Sequence, residues 1–400
     1  MAARPRILAV FHDGLYPANM GNRVRNVGIL EALSRDFDLT IVTLAHCREQ
    51  MSEPGPVAEL GRWHGVLAAH RQNRLAWLMT HLRERATGLR SGLRPALHFQ
   101  SLPELSRRVL QLIESEKPDI VHSAYWFTLR HVRHKPRPPL WVVDTHDVQF
   151  ERLDRLFGGA RPSERTAELE ALRTYDRIIA ITGRDRDTFR RHLGESSPPI
   201  DVIPMGLDLR RWDPAVVDPL LPPAPRVSFY GTLSTGVNQE AARHFLDDLV
   251  PELRRRREGL EFWLLGAGAP PDLEARAHAS GARLAGYQPD IRPALASAGV
   301  LALSLRSGTG QRGRVVEAVA LGVPVVAYHG ALEGLEIGEE QGIFGVSTER
   351  EFCDRVIELL DSRPRWAHRQ PQIRRDLEEA YGWEATYGRF PRLYRQLLDL

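Results

Sequence analysis

Short apolar runs recur along the chain, and between many of them lie longer stretches whose apolar positions return every three or four residues. The short runs predict strands, the longer stretches predict amphipathic helices, and their alternation predicts doubly wound parallel sheets. In the first half the strands are Ile7 to Phe11, Leu39 to Thr43, Ile120 to Ser123, Leu140 to Val143, Ile178 to Ile181 and Ile200 to Ile203. Helical stretches such as Arg25 to Ser34 and Leu105 to Ser115 separate them. Pro214, Pro219, Pro222, Pro223 and Pro225 then crowd one segment, which can continue neither a helix nor a central strand and reads as a linker. The rhythm restarts with Val227 to Tyr230, Glu261 to Leu265, Arg283 to Leu284, Val300 to Leu305, Pro324 to Tyr328 and Gly342 to Val346. An amphipathic run, Trp383 to Leu398, follows later. The pattern predicts an α/β chain of two Rossmann-like domains facing across a cleft, and 400 residues suffice for two cores.

Chemistry concentrates between two of these strands, in residues 299–327. After Val300 to Leu305 come Ser307, Gly308, Thr309 and Gly310, which allow a tight turn and leave amide N–H groups at a helix N-terminus. Such a terminus stabilises anions through its unpaired N–H groups and its dipole. Arg312 and Arg314 add permanent positive charge, Glu317 sits on the helix, and Gly322-Val323-Pro324 ends it. A positive loop suits a diphosphate and a nearby carboxylate suits a vicinal diol, so the pattern points to a nucleotide sugar.

The same stretch resembles the donor-site signature of retaining GT-B glycosyltransferases of family four, the glycosyl transferases of group 1. The matching positions are Gly308, Thr309, Gly310, Arg312, Arg314, Glu317, Ala318, Ala320, Gly322, Pro324, Val325 and Val326. Further matches follow in the family's order: GNRVRN at 21–26, VVDTHD at 142–147, VIPMGLD at 202–208, FYGTL at 229–233, FWLLGAG at 262–268 and LAGYQPDIRPALASAGV at 284–300.

The resemblance implies an acceptor-binding domain at 1–205, a Pro-rich linker at 206–226, a donor domain at 227–375, and a terminal helix at 376–400 that packs back on the first domain. It implies His146, Arg312 and Arg314 as catalytic residues, the arginines facing the departing diphosphate and His146 facing the donor sugar near its anomeric carbon. Donor-binding residues are Gly231, Gly308, Thr309, Gly310, Arg312, Arg314, Glu317 and Tyr287, with Glu317 on the ribose. Gly21, Asn22 and Arg23 fall in the family's loop after the first strand, where backbone approaches the diphosphate and acceptor. Asp147 either caps the following helix or orients the acceptor, with capping the simpler reading. Four positions depart from the family: Thr309 replaces a glutamate that holds the donor sugar in many relatives, Thr232 and Leu233 replace the usual Arg and Lys after Gly231, and Met205 stands where relatives usually have Asn.

Composition narrows the class. The 54 basic residues include only two lysines, Lys117 and Lys135, so a phosphorylase that holds pyridoxal phosphate on a lysine of the later half is excluded. Cys47 and Cys353 stand alone, without ligand or disulfide spacing. No metal is expected: Asp36-Phe37-Asp38 and Asp185-Arg186-Asp187 lack the setting of a metal-binding Asp-x-Asp, and no histidine has zinc spacing. Gly266-Ala267-Gly268 is followed by Ala269-Pro270-Pro271, which speaks against a dinucleotide fingerprint and against a smooth start to a helix.

The expected co-substrate is a nucleotide-diphosphate sugar, a UDP-sugar before others, with no cofactor and no nucleic acid. The expected acceptor is a saccharide, a lipid-linked saccharide or a small molecule, in cell-surface polysaccharide synthesis or secondary-metabolite glycosylation. Residues 62–108 carry nine arginines against two glutamates, with Trp63, Leu75, Trp77, Leu78, Met79 and Leu82 interleaved. Such a segment suits either peripheral contact with an anionic membrane or a solvated helical face. The first strand follows Met1 to Arg6 at once, so the expected location is cytoplasmic, or peripheral on the inner membrane face. Two other readings stay open: a catalytically silent nucleotide-sugar-binding subunit, and a GT-B epimerase or hydrolase.

Overall fold

The structure is a computed structural model and describes residues 4–18, 20–47, 54–68, 78–79, 82, 92–94, 97, 102–132, 134–159, 161–220, 224–306, 313–361 and 363–400. It divides into two compact units, Met1–Met205 with Thr386–Leu400, and Gly206–Ala385.

The first unit is built on seven parallel strands: β1 (Arg6–Phe11), β2 (Asp38–Ala45), β3 (Arg62–Leu67), β4 (Ile120–Ala124), β5 (Leu140–Asp144), β6 (Arg177–Ala180) and β7 (Ile200–Val202). Their order is β3-β2-β1-β4-β5-β6-β7, with Ala9 opposite Ile41 on one side and His122 on the other. Helices α1 (Gly21–Leu33), α2 (Pro103–Glu116), α3 (Gln149–Phe157), α4 (Pro162–Leu172) and α5 (Gly183–Leu193) accompany it. Beyond Arg6 the strand β1 is buried, as is all of β4, because a parallel sheet covered on both faces offers its central strands no water.

The second unit has six parallel strands: β8 (Arg226–Tyr230), β9 (Glu261–Leu265), β10 (Arg283–Gly286), β11 (Val300–Leu303), β12 (Val325–Tyr328) and β13 (Ile343–Val346). They run in the order β10-β9-β8-β11-β12-β13. Its helices are α6 (Gly236–His244), α7 (Val250–Arg256), α8 (Pro271–Ala279), α9 (Arg292–Ala296), α10 (Gly313–Ala320), α11 (His329–Leu332), α12 (Glu349–Asp361) and α13 (Arg363–Tyr381). A π-helical turn, Phe245–Leu249, joins α6 to α7. After α14 (Trp383–Thr386) the chain returns to the first unit as α15 (Arg389–Leu397), which packs against α1. In each sheet the strand order reverses once, between β1 and β4 and between β8 and β11. Ligands of open α/β sheets bind at the carboxyl ends of strands beside such reversals.

Several expectations need correction. The strand β3 was not among those expected; it pairs with β2, and the Trp63 indole N–H donates to Thr43 Oγ1 at 3.1 Å. Part of the arginine-rich segment is therefore sheet edge and not a helical face. Arg94 is buried, donating to the carbonyls of Leu153 and Gly159 beside Glu164, and Arg62 pairs with Glu116 at 2.7 Å. Some of the segment's charge is thus neutralised inside the unit. Arg71, Arg74, Trp77, Arg83, Arg85 and Arg90 lie outside the described residues, while Leu78, Met79 and Leu82 are exposed. No helix among the described residues is long and apolar enough to cross a membrane.

Gly21, Asn22 and Arg23 form the first turn of α1 and not a loop, because the helix begins four residues before the expected Arg25. Pro271 opens α8 at its first position, where a missing N–H costs nothing, so the double proline starts that helix cleanly. Around the proline cluster, Leu209 and Val217 join the second unit's core, and the Leu220 N–H donates to the Pro293 carbonyl. The N-cap of α3 is Val148 and not Asp147. The first amides of α3, those of Gln149 and Phe150, donate to the carboxylate of Glu168 on α4 at 3.1 and 2.8 Å.

Candidate functional site

In the first unit the carboxyl ends of β1, β4 and β5 bring together a buried polar cluster. Asp144, the last residue of β5, is fully buried, and so is Arg25 on α1. Arg25 Nε donates to Asp144 Oδ2 and Nη2 to Oδ1, both at 2.7 Å, while Nη1 donates to the Pro204 carbonyl at 3.0 Å. Burial alone would push the Asp144 pKa up, but the Arg25 guanidinium holds the carboxyl far below the usual range. Burial likewise works against the Arg25 charge, and Asp144 more than offsets it.

His146 follows two residues after Asp144 with a left-handed backbone, φ 59°, uncommon for a residue with a Cβ. Its Nε2 lies 3.0 Å from Asp144 Oδ2, off the line of a good hydrogen bond. Its ring stacks on Tyr125 at 4.3 Å and 20°, and Tyr125, just past β4, is also left-handed at φ 62°. His12, just past β1, stands edge-on to Tyr125 at 4.9 Å. Burial pushes His12 down to about 3 and His122, on β4, down to about 4, so both imidazoles are neutral. His122 Nδ1 and Tyr394 Oη of α15 are 2.6 Å apart. Of the residues the resemblance assigned to this unit, only His146 joins the cluster, whereas Arg23 pairs with Asp13 at 2.7 Å. Arg25, Asp144, Tyr125 and His12 were missed. Arg25 and Asp144 did stand inside the GNRVRN and VVDTHD matches as charges next to apolar residues, the one signal that could have raised them.

In the second unit the carboxyl ends of β8 and β11 flank α10. Arg314 Nη1 donates to the Tyr230 carbonyl at 2.7 Å and to Asn238 Oδ1 at 3.2 Å. Burial pulls its pKa down. Glu317, one turn along α10, is half-buried, and burial lifts its carboxyl to about 7 against the pull of Arg314. The Tyr230 hydroxyl, raised by burial and by Glu317, stays protonated beside it. Gly231 follows β8 so closely to this group that an added Cβ would lie 2.4 Å from Arg314 Nη1. Replacing Gly231 by Ala should therefore break the bonds of Arg314 to Tyr230 and Asn238, costing about 1–2 kcal/mol by thermal or urea unfolding. Nucleotide affinity, read by calorimetry, should fall with it; unchanged stability and affinity would show that Arg314 is not held there.

Tyr287 follows β10 and is 64% exposed. Gly308, Thr309, Gly310 and Arg312 lie outside the described residues. One group of His, Asp and Glu among the described residues has ligand atoms within 4.8 Å of one another: His244, Asp248 and Glu349. Hydrogen bonds already engage it, since His244 Nδ1 is 2.7 Å from Asp248 Oδ2, His244 Nε2 is 2.7 Å from Tyr328 Oη, and Arg306 pairs with Glu349 at 2.7 Å.

Two parallel α/β units of seven and six strands make the GT-B fold. The comparisons agree. Residues 28–211 match the model described as Glycosyltransferase Family 4, and residues 224–362 match that described as Glycosyl transferases group 1. The chain belongs to this glycosyltransferase family. It resembles the sucrose-phosphate synthase of Thermosynechococcus elongatus with a TM-score of 0.74 at 16% identity, covering 99% of this chain and 100% of that one. It also resembles Anabaena Alr3699/HepE, solved with UDP, with a TM-score of 0.67 at 15% identity over 98% and 99% of the two chains. A glycosyltransferase from Rickettsia africae gives 0.65 at 12% identity over 99% of each chain. No curated protein matches in sequence.

Proposed function

We propose that the chain transfers a sugar from a nucleotide-diphosphate sugar, a UDP-sugar first among them, to an acceptor hydroxyl with retention of anomeric configuration and without a metal ion. The observation that carries the reading is the half-buried Glu317, one helical turn from Arg314, beside the glycine that follows β8. Arg312 and Arg314 face the leaving diphosphate, where negative charge develops as the glycosidic bond breaks. Glu317 accepts hydrogen bonds from the ribose, and His146 contacts the donor sugar. Gly231, Gly308, Thr309, Gly310 and Tyr287 complete the donor site, while the first unit, with Gly21, Asn22 and Arg23 at the start of α1, takes the acceptor. UDP bound to the HepE relative supports the choice of nucleotide. The acceptor belongs to polysaccharide or secondary-metabolite glycosylation, and the location is cytoplasmic, with the exposed Leu78, Met79 and Leu82 as the place of membrane contact.

The test is calorimetry with UDP across pH. A carboxyl lifted to about 7 is protonated in the free protein below that value, and only the carboxylate accepts from both ribose hydroxyls. Affinity should rise roughly tenfold between about pH 6 and pH 8 and level off above it. Glu317→Gln should bind more weakly and remove this dependence, leaving only the titration of the nucleotide's own phosphate. Equal profiles for both proteins would sink the ribose assignment.

A further inference from the structure

We infer that Arg25 and Asp144 are positioning residues for His146: together they fix the proton on Nε2 and leave Nδ1 as the atom that accepts a hydroxyl of the bound sugar or acceptor. The inference rests on the transferase reading for its ligand, but on geometry for everything else. Asp144 Oδ2 stands 3.0 Å from His146 Nε2. Nε2 is the ring nitrogen beside the carboxylate, so even off the hydrogen-bond line the negative charge of Asp144 favours a positive N–H there over a lone pair. In the uncharged imidazole the proton therefore belongs on Nε2 and the lone pair on Nδ1.

Arg25 makes this arrangement durable in two ways. Its two parallel bonds occupy both carboxylate oxygens, and this fork geometry fixes the plane of the group. Its charge also keeps Asp144 ionised in a place without solvent. A protonated Asp144 would become a donor toward Nε2 and would drive the ring proton to Nδ1, the opposite tautomer. Arg25 is itself anchored by the Pro204 carbonyl and has the Phe390 ring of α15 at 5.6 Å from its guanidinium carbon. The ring's orientation is set separately. Tyr125 stacks on it, the Tyr125 N–H donates to the Asp144 carbonyl at 2.8 Å, and both ring-bearing residues sit in the left-handed region. Such conformations persist only where the surroundings over-determine them, and they cluster at functional sites. Orientation comes from the stack and tautomer from the pair, much as a carboxylate fixes the histidine of a hydrolytic triad.

The experiment is long-range proton–nitrogen NMR of the ¹⁵N-labelled full chain, with His146 assigned by its disappearance in His146→Gln. The expected spectrum shows His146 as one protonated Nε2 and one bare Nδ1. A proton on Nδ1, or two averaged nitrogens, overturns the proposal. The double variant Arg25→Met with Asp144→Asn removes both charges and leaves no lone buried ion. It should lose the fixed tautomer and release UDP from UDP-glucose about 10- to 100-fold more slowly, with KM little changed. Retention of the Nε2–H tautomer in that variant overturns the role of the pair whatever its activity, because a merely structural ion pair would leave the ring proton in place. A wild-type chain with the expected tautomer but no release of UDP upholds the positioning and counts against the transferase reading alone.

Discussion

Arg25→Met alone should destabilise the first unit by about 3–5 kcal/mol. The substitution strips Asp144 of both its short bonds and leaves the buried carboxylate with only the His146 ring beside it, and breaking a buried pair from one side costs that much. The loss should depend on pH in a definite sense. The folded-state pKa of Asp144 is depressed by Arg25, so the wild-type pair contributes stability that is complete above the ordinary aspartate value and fades as pH falls below it. Without Arg25, burial is the dominant influence and raises the Asp144 pKa, so the variant should lose stability as pH rises. Wild type and variant should therefore converge in acid and diverge at neutral pH. Urea unfolding at several pH values reads this directly. A constant difference would mean that Asp144 keeps a partner after Arg25 is gone.

Arg312→Ala should lower turnover about 10²–10³-fold while changing nucleotide affinity far less, because the interaction strengthens as charge moves onto the departing diphosphate. Arg314→Ala should behave differently. Arg314 already holds the Tyr230 carbonyl and Asn238, so its removal should reduce stability and affinity as well as turnover. Steady-state kinetics beside thermal unfolding separates the two arginines. Proton NMR of the product linkage gives the stereochemistry in the same experiment. An inverted product, or normal turnover in Arg312→Ala, would remove the family-four reading of a retaining donor site.

How much of this was legible in the sequence depended on range. The buried strands announced themselves because continuous apolar runs such as ILAVF in β1 and VLAL in β11 have few other uses. The edge strand β3 did not: Arg62-Trp63-His64-Gly65-Val66-Leu67 is half-exposed and mixed, and it borrows its regularity from β2. Met20, the residue before α1, offers no capping side chain, which hid the helix start at Gly21. The Glu168 carboxylate that serves α3 comes from another helix, so local reading assigned that work to the nearer Asp147. The same holds at the site. Arg314 and Glu317 lie one turn apart and their joint placement could be read from spacing, whereas Arg25 and Asp144 meet across 119 positions. Neither residue's burial follows from its neighbours in sequence.

The return of α15 to the first unit gives biosynthesis a fixed order. Phe390 and Tyr394, which lie against the guanidinium of Arg25 and beside His122, leave the ribosome only after residues 206–385 have been made. At about 5–20 residues per second that is a delay on the order of ten to forty seconds. During this interval the second unit, contiguous in the chain, has all it needs to fold, while the first waits with its buried ion pair uncovered. The unit begun first is thus the one completed last.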